Sequence, residues 1–258
     1  MASRKPVLSP TRICAYLECA MKYRYLYVDR LGRYYVRARP AFSFGATLHR
    51  VLQAFHAEGA GQTREEMVSR LEQSWVAAGY QSAQEETEYR QAGVEVVEAY
   101  HAAAAARAEE ARETLWTEKT LRLDMGPFAL AGRVDRVDRW HDGTLEVIDY
   151  KSGRWETTPE EVAGDLAVSI YQLLLKRLHP GVPVVGTIYC LRSGIQASSR
   201  LSDEEAGRFE ADLLVLGQDI LSRDWEQVEP ERIAACEWCD FLPRCERFWR
   251  QRERQPGM

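Results

Sequence analysis

An α/β core beneath a helical N-terminal cap is the fold class this sequence predicts. Three features carry that reading. Residues 12–112 show helical periodicity without a strand pattern. Residues 114–151 then hold three apolar, strand-like runs joined by two short turns. An amphipathic stretch of helical length and a fourth apolar run follow them. The resulting order, helices then β, β, β, α, β, α, fits helices packed against a sheet.

Each element has its own warrant. Ser9-Pro10-Thr11 opens a capped helix expected from Arg12 to about Arg30, with Tyr16, Tyr23, Tyr25 and Tyr27 interspersed with Lys22 and Arg24. A second helix is expected from about Phe44 to His56, before Gly59-Ala60-Gly61, and a third near Arg64–Ala78. A fourth covers Gln84–Arg112, where Ala102–Ala106 favours helix through its low side-chain entropy cost. The period then drops to two. Thr114–Met125 sets Leu115, Leu121 and Leu123 among polar residues, Phe128–Trp140 carries Leu130, Val134 and Val137, and Leu145-Glu146-Val147-Ile148 leads into Asp149. Met125-Gly126-Pro127 and His141-Asp142-Gly143 supply the turns. A helix over roughly Pro159–Leu178, a strand over Val184–Leu191 and a long helix over Asp203–Ser222 complete the pattern. No internal repeat or low-complexity linker interrupts it. One domain over 1–258 is expected, with a helical part (1–112), a core (113–225) and a cysteine-rich segment (226–258).

The 258 residues carry a net charge of −5, which by itself argues against a polyanion ligand. The distribution argues otherwise, since residues 1–50 hold ten Lys/Arg against two acids and residues 241–258 hold five Arg against two Glu. Basic ends around an acidic middle suggest a local groove for a polyanion. No apolar run is long enough to span a membrane, and Met1-Ala2-Ser3-Arg4-Lys5 is not a signal-peptide start, so a reducing cytoplasm is expected. There the six cysteines read as metal ligands or buried thiols rather than disulfides.

The chemistry concentrates in two runs, Gly132-Arg133-Val134-Asp135 and Asp149-Tyr150-Lys151. On a strand, residues i and i+2 share a face, so Asp149 and Lys151 project together. If the Asp135 run pairs alongside, two carboxylates and an ammonium meet. Such a set can hold a divalent metal and activate water against a phosphodiester. Ion pairing of Asp135-Arg136 and Asp138-Arg139 at a surface is the plainer alternative.

Taken with what surrounds it, this pattern resembles the RecB-type branch of the PD-(D/E)xK nucleases. The residues carrying the resemblance are Gly132-Arg133-Val134-Asp135-Arg136-Val137-Asp138 and Val147-Ile148-Asp149-Tyr150-Lys151-Ser152-Gly153. Gly45-Ala46-Thr47-Leu48-His49 is similar to the family's upstream G-x-x-x-H, and Tyr171-Gln172 to the start of its Q-x-x-x-Y, although Lys176 stands where the tyrosine belongs. The resemblance implies a restriction-endonuclease-like core with a mixed central sheet. It further implies that His49, Asp135, Asp149 and the Tyr150 carbonyl hold Mg²⁺ or Mn²⁺, that Lys151 positions the attacking water, and that Gln172 supports the site.

Cys236-x-x-Cys239-x₅-Cys245 can grip a metal from a tight turn, and by residue type alone zinc is the natural occupant. The resemblance changes that expectation. An iron–sulfur subset of the family, including the AddB nuclease domain and CRISPR-adaptation nucleases, implies a [4Fe–4S] cluster on these three cysteines and Cys19. Tyr16-Leu17-Glu18-Cys19-Ala20-Met21-Lys22-Tyr23 fits the register of the family's N-terminal cysteine. Cys14 is then the spare thiol and Cys190 a buried one.

The basic, tyrosine-rich segment Lys22–Arg39 could meet phosphates and stack unpaired bases, or its tyrosines could pack the helix to the core. Trp238, Phe241, Phe248 and Trp249 are expected around the cluster. The whole implies a metal-dependent DNA nuclease with exonuclease-like or end-processing action, and no G-x-x-x-x-G-K-[ST] helicase motif is present. Two alternatives stand beside it: a CRISPR-adaptation nuclease partnered by an integrase, and a non-catalytic DNA-binding scaffold. A helicase subunit is a further conceivable partner.

Overall fold

In the computed structural model, residues 5–107 and 112–254 are described. β1 (Val7–Leu8) leads into α1 (Pro10–Glu18), where Ser9 Oγ accepts the Arg12 N–H at 3.4 Å. The expected run to Arg30 is broken at Cys19. That residue is extended (φ −163°, ψ 116°), ends α1, and caps α2 (Ala20–Tyr23) by accepting the Lys22 N–H on Sγ at 3.4 Å. A π turn over Arg24–Val28 and a short α3 (Gly32–Tyr35) follow. Next come α4 (Pro40–Ala57), α5 (Arg64–Gln73) and α6 (Ala83–Ala106). The fourth expected helix is therefore shorter than predicted, because Arg112 already opens β2 (Arg112–Asp124). Residues 108–111 of that expectation lie outside the described residues.

β3 (Ala129–Trp140) and β4 (Leu145–Lys151) match the expected strands closely. The expected helix over Pro159–Leu178 is two helices, α7 (Pro159–Gly164) and α8 (Leu166–Leu178). Asp165 separates them: it is extended, and its Oδ1 accepts the Val168 N–H at 2.9 Å to cap α8. β5 (Val184–Cys190), β6 (Gln196–Ser199) and α9 (Asp203–Ser222) follow, then a 3₁₀ turn over Ala234–Trp238 and α10 (Leu242–Arg254). The sequence reading missed β1, β6 and α10. The two strands are too short to carry a periodic signal and exist through pairing, while α10 does carry Leu242, Cys245, Phe248 and Trp249 at helical spacing among its arginines. Among the described residues no helix is long and apolar enough to cross a membrane.

The sheet is six-stranded and mixed, in the order β1-β3-β4-β5-β6, with β2 pairing β3 from the other side. β3 is the hub. β2 runs antiparallel along one of its edges, from Arg112 opposite Trp140 to Asp124 opposite Ala129. The other edge is shared: β1 pairs parallel at Ala129 and Leu130, and β4 antiparallel at Arg136 to Arg139. Residues 131–135 of β3 thus lie in a gap between two partners. β5 then runs parallel to β4, with Asp149 opposite Ile188.

Alternation on β4 assigns its two faces. Leu145 and Val147 join one core cluster with Tyr16, Tyr171, Leu174 and Leu213, while Ile148 and Tyr150 join a second with Phe44, Leu48, Phe55 and Val97. The sheet is consequently sandwiched between α1, α8 and α9 on one side and α4, α5 and α6 on the other, as a restriction-endonuclease-like core requires. Both clusters are aliphatic and aromatic, and burying each such side chain contributes about 1.5–3 kcal/mol.

Candidate active site

Where β4 leaves β3, the two faces and the gap converge. Gly45 makes the approach of α4 possible, since a Cβ there would lie 2.9 Å from Ser152 Oγ, just beyond Lys151. One turn later on α4, His49 sets Nε2 3.2 Å from the Tyr150 carbonyl oxygen and Nδ1 3.2 Å from Asp135 Oδ1. Asp135 in turn accepts the Tyr150 N–H on Oδ2 at 2.8 Å. The glycine and histidine four apart therefore act together: the first permits contact, and the second exploits it.

Strand alternation fails at this point in β3. Val134 and Val137 belong to the same core cluster although regular alternation would send them to opposite faces. On β2, Glu118 takes φ +48°, a left-handed conformation that is strained for a residue bearing a Cβ. Thr117 opposite Arg136 and Lys119 opposite Val134 bracket Glu118 and Asp135 as cross-strand neighbours. Glu118 Oε1 lies 3.5 Å from His49 Nδ1, and its Oε2 is 2.6 Å from Arg133 Nε.

His49, Glu118 and Asp135 each bring a ligand atom within 4.8 Å of the other two. Sequence reasoning missed Glu118. The signal was available, because the Met125–Pro127 turn fixes the hairpin register and so names the residue across from Asp135.

Asp149 and Lys151 share a face as expected, with Lys151 Nζ 2.6 Å from Asp149 Oδ2. That contact lacks the alignment of a hydrogen bond, so the buried Oδ2 has an ionic neighbour but no directed donor. Burial pushes the Asp149 carboxyl above its usual range, with Asp135 adding to the rise and Lys151 opposing it. For His49, burial pulls the imidazole down, but hydrogen bonds to Asp135 and Glu118 outweigh it and hold the group up at about 10.

His49 thus sits between two carboxylates, within hydrogen-bond reach of Asp135. Glu118, Asp135 and His49 within ligand reach of one another, the Tyr150 carbonyl beside His49 and the orphaned buried oxygen of Asp149 fit a hard divalent cation. Ligation by His49 would require it to release the Nδ1 proton.

A buried network fixes Tyr150 from behind. Its hydroxyl lies 2.8 Å from Tyr100 Oη, and Arg136 donates to both hydroxyls and, at 2.8 Å, to His56 Nε2. Burial and the neighbouring Arg136 and Arg112 push His56 down to about 2, which leaves it a neutral acceptor. Arg136 pairs bidentately with fully buried Asp138. Neither residue is a surface ion pair, so that alternative fails for them. A cavity of about 520 Å³ borders this network at His56, Tyr100 and Arg136, away from the acids.

Gln172 lies on α8, where its Oε1 accepts the Leu201 N–H at 2.9 Å and its amide lies under Gly186, at which a Cβ would come within 2.6 Å of Nε2. Tyr171 lies near the site. Its ring crosses Gly132, where a Cβ would be 2.7 Å from Cε1, and burial followed by the charges of Asp149 and Asp135 holds its phenol far up.

The six cysteines fall into different surroundings. Burial and, with it, the mutual proximity of Cys19, Cys236, Cys239 and Cys245 raise the Cys239 and Cys245 thiols, whereas Cys190 is buried on β5 and Cys14 lies within reach of Asp165 and Lys151. Met21, Tyr25, Phe241 and Cys245 form a small apolar cluster joining the chain ends. Trp249 donates from Nε1 to the Pro230 carbonyl at 2.8 Å. Trp238 departs from expectation, being 77% exposed. Within the tyrosine-rich segment Tyr23 and Tyr25 are buried, so packing holds for these two, while Tyr34 is exposed.

The sequence profile of the PD-(D/E)XK nuclease superfamily matches residues 7–246. None of the curated proteins matches the chain. The fold is similar to that of a candidate exonuclease from Eubacterium rectale at 12% identity, covering 93% of this chain and 87% of that one, with a TM-score of 0.56. A structure named SSO0001 aligns at 14% identity over 95% of this chain and 88% of its own, but with a TM-score of 0.35, too low to carry an argument. The match spans both strands that carry Asp135, Asp149 and Lys151, and on a match of that extent the chain belongs to the PD-(D/E)XK nuclease superfamily, whose chemistry is phosphodiester hydrolysis.

Proposed function

We infer that this nuclease acts on DNA in a divalent-metal-dependent manner, trimming ends or unpaired strands, with the whole chain working as one domain. The observation that carries the reading is the meeting of Asp149 and Lys151 with His49, Glu118 and Asp135 at one point of the sheet. His49, Asp135, Asp149 and the Tyr150 carbonyl are the residues to hold Mg²⁺ or Mn²⁺, with Glu118 added to the expected set. Such a cation lowers the pKa of water and offsets charge on a phosphoryl oxygen.

The chain's own groups do the rest. Lys151, anchored against Asp149, orients the attacking water and faces the charge that builds on the phosphate. Tyr150, locked by Tyr100 and Arg136 behind the strand, keeps its carbonyl aimed at His49. Asp135 holds the β4 backbone through the Tyr150 N–H.

A [4Fe–4S] cluster on Cys19, Cys236, Cys239 and Cys245 forms part of the same reading. Their electrostatic proximity, read on Cys239 and Cys245, is what supports a shared metal group on these four sulfurs. The Lys22 and Ile233 N–H groups point at Cys19 and Cys236 Sγ, at 3.4 and 3.5 Å, as donors to thiolate ligands do.

The test is digestion of end-labelled single- and double-stranded DNA, each blocked at one end, with Mg²⁺, with Mn²⁺ and with chelator. Cutting is expected only with metal, falling at least about a hundredfold in Asp149→Asn and Lys151→Ala while DNA binding persists. Cutting that survives chelation, or survives in both variants, removes the mechanism.

A further inference from the structure

Lys151 is followed by a loop that is tied down at its base and open at its tip. Arg192 donates from Nε to the Ser152 carbonyl at 3.0 Å, and Thr157 is buried. Thr158 begins α7 with a full capping box, accepting from and donating to Glu161. Between these anchors Trp155 stands 48% exposed, on a surface where isolated large rings otherwise gain little from water. Its position is set by Gly153, since a Cβ there would lie 2.5 Å from Trp155 Nε1. Trp155 is four residues on from Lys151, so their Cα atoms stay within about 14 Å even at full extension.

Two guanidiniums, those of Arg154 and Arg192, belong to this loop and its anchor, with Glu156 following the ring in the chain. Arg154 is exposed beside it and close enough to Arg192 to help burial push that guanidinium below its ordinary value. Arg192 is held 4.5 Å from the Phe44 ring centroid and 5.8 Å from that of Tyr89. Among the described residues neither arginine has a carboxylate at ion-pair distance, unlike Arg133, Arg136 and Arg177. Two like charges and an open indole beside the catalytic lysine are costly for the protein alone. They become complementary when a phosphate chain carrying an unpaired base lies across them.

We propose that Trp155 is a positioning residue that stacks an unpaired nucleobase next to the scissile phosphate, with Arg154 and Arg192 meeting the adjoining phosphates. The ligand is a single DNA strand, because a base in a duplex has no free face to offer. This rests on the metal-dependent nuclease reading, yet its central readout does not need cutting. It also moves the stacking platform from the Lys22–Arg39 tyrosines, of which Tyr23 and Tyr25 are buried, to the loop beyond β4.

The test uses the full-length protein and a fluorescein-labelled oligothymidylate, with Ca²⁺ replacing Mg²⁺ so that binding is read without turnover. Trp155→Ala should weaken binding about tenfold, the order associated with losing one stacked base, and Trp155→Phe should recover most of it. Gly153→Ala should resemble Trp155→Ala, since the added methyl displaces the indole. A series of strands with one abasic nucleotide moved along the chain should show one position at which wild type weakens and Trp155→Ala does not. Cutting with Mn²⁺ should then show the loss in KM more than in kcat.

Trp155→Ala affinity within twofold of wild type, or an abasic profile identical in the two proteins, overturns the proposal. Wild type that cuts only duplex DNA overturns it too, and leaves the nuclease reading standing. Wild type that cuts nothing with metal, yet shows the abasic signature, overturns the nuclease reading instead.

Discussion

Glu118 makes the site depend on a residue that no motif names. Its strained backbone turns a carboxylate inward against His49, 3.5 Å away, and such strain is kept only where surrounding contacts enforce it. Glu118→Gln should retain the fold and raise the Mn²⁺ concentration for half-maximal cutting by about 10–100-fold, in line with losing a group that supports a metal ligand. An unchanged metal titration would return Glu118 to a mere partner of Arg133. Arg136 poses the opposite case, a buried cation that serves structure. Arg136→Met strands the buried Asp138 charge and should cost about 3–5 kcal/mol in urea denaturation. Asp149 and Lys151 were legible in sequence because alternation on a strand is local. The partner of Gln172 was not legible, because an amide on a buried helix face finds whichever backbone N–H packing presents, here that of Leu201.

At the scale of elements, breaks matter as much as runs. Cys19 and Asp165 each interrupt what reads as one helix, and each then caps the next through its own side chain. The sequence shows both as ordinary polar or small residues within a periodic stretch, so periodicity alone carries through them. α9, by contrast, was readable end to end, since Ser202 and Glu205 form a capping box and the apolar stripe is continuous. How closely it seats was not readable. Gly217 lets it descend onto Phe128, where a Cβ would lie 2.1 Å from Cε1. Gly217→Ala should therefore lower stability by about 1–3 kcal/mol through overpacking, read as a shift in the urea midpoint with unchanged slope. A neutral effect would mean that α9 can retreat from the sheet at little cost.

For the whole molecule, the two chain ends share one cluster. Tyr25 and Tyr35 both meet Phe241, with ring centroids 5.2 and 5.4 Å apart, and Arg39 reaches Asp240 at 2.8 Å. Apolar contact thus already closes the loop that a metal cluster would lock. Cys19→Ser should lower the thermal midpoint and the iron content of anaerobically purified protein, while Cys14→Ser should change neither. A colourless, zinc-loaded wild type, or the reverse ranking of the two variants, would reassign the cysteines. The basic ends noted in the sequence meet here too, although several of their arginines are spent on ion pairs such as Arg252 with Glu229 and Arg24 with Asp29.

What the sequence determined by itself was everything governed by short range: the β-β-β-α-β-α order, the shared face of Asp149 and Lys151, and the glycine four residues before His49. These follow from strand and helix periods and from turn chemistry, which operate within a few residues. What only the tertiary structure decided was which groups meet across elements. The gap on the β3 edge, the strained turn at Glu118, the bond of Gln172 to Leu201 and the exposure of Trp155 all depend on how separate segments pack. Each is a contact between residues far apart in the chain, and no local period encodes it.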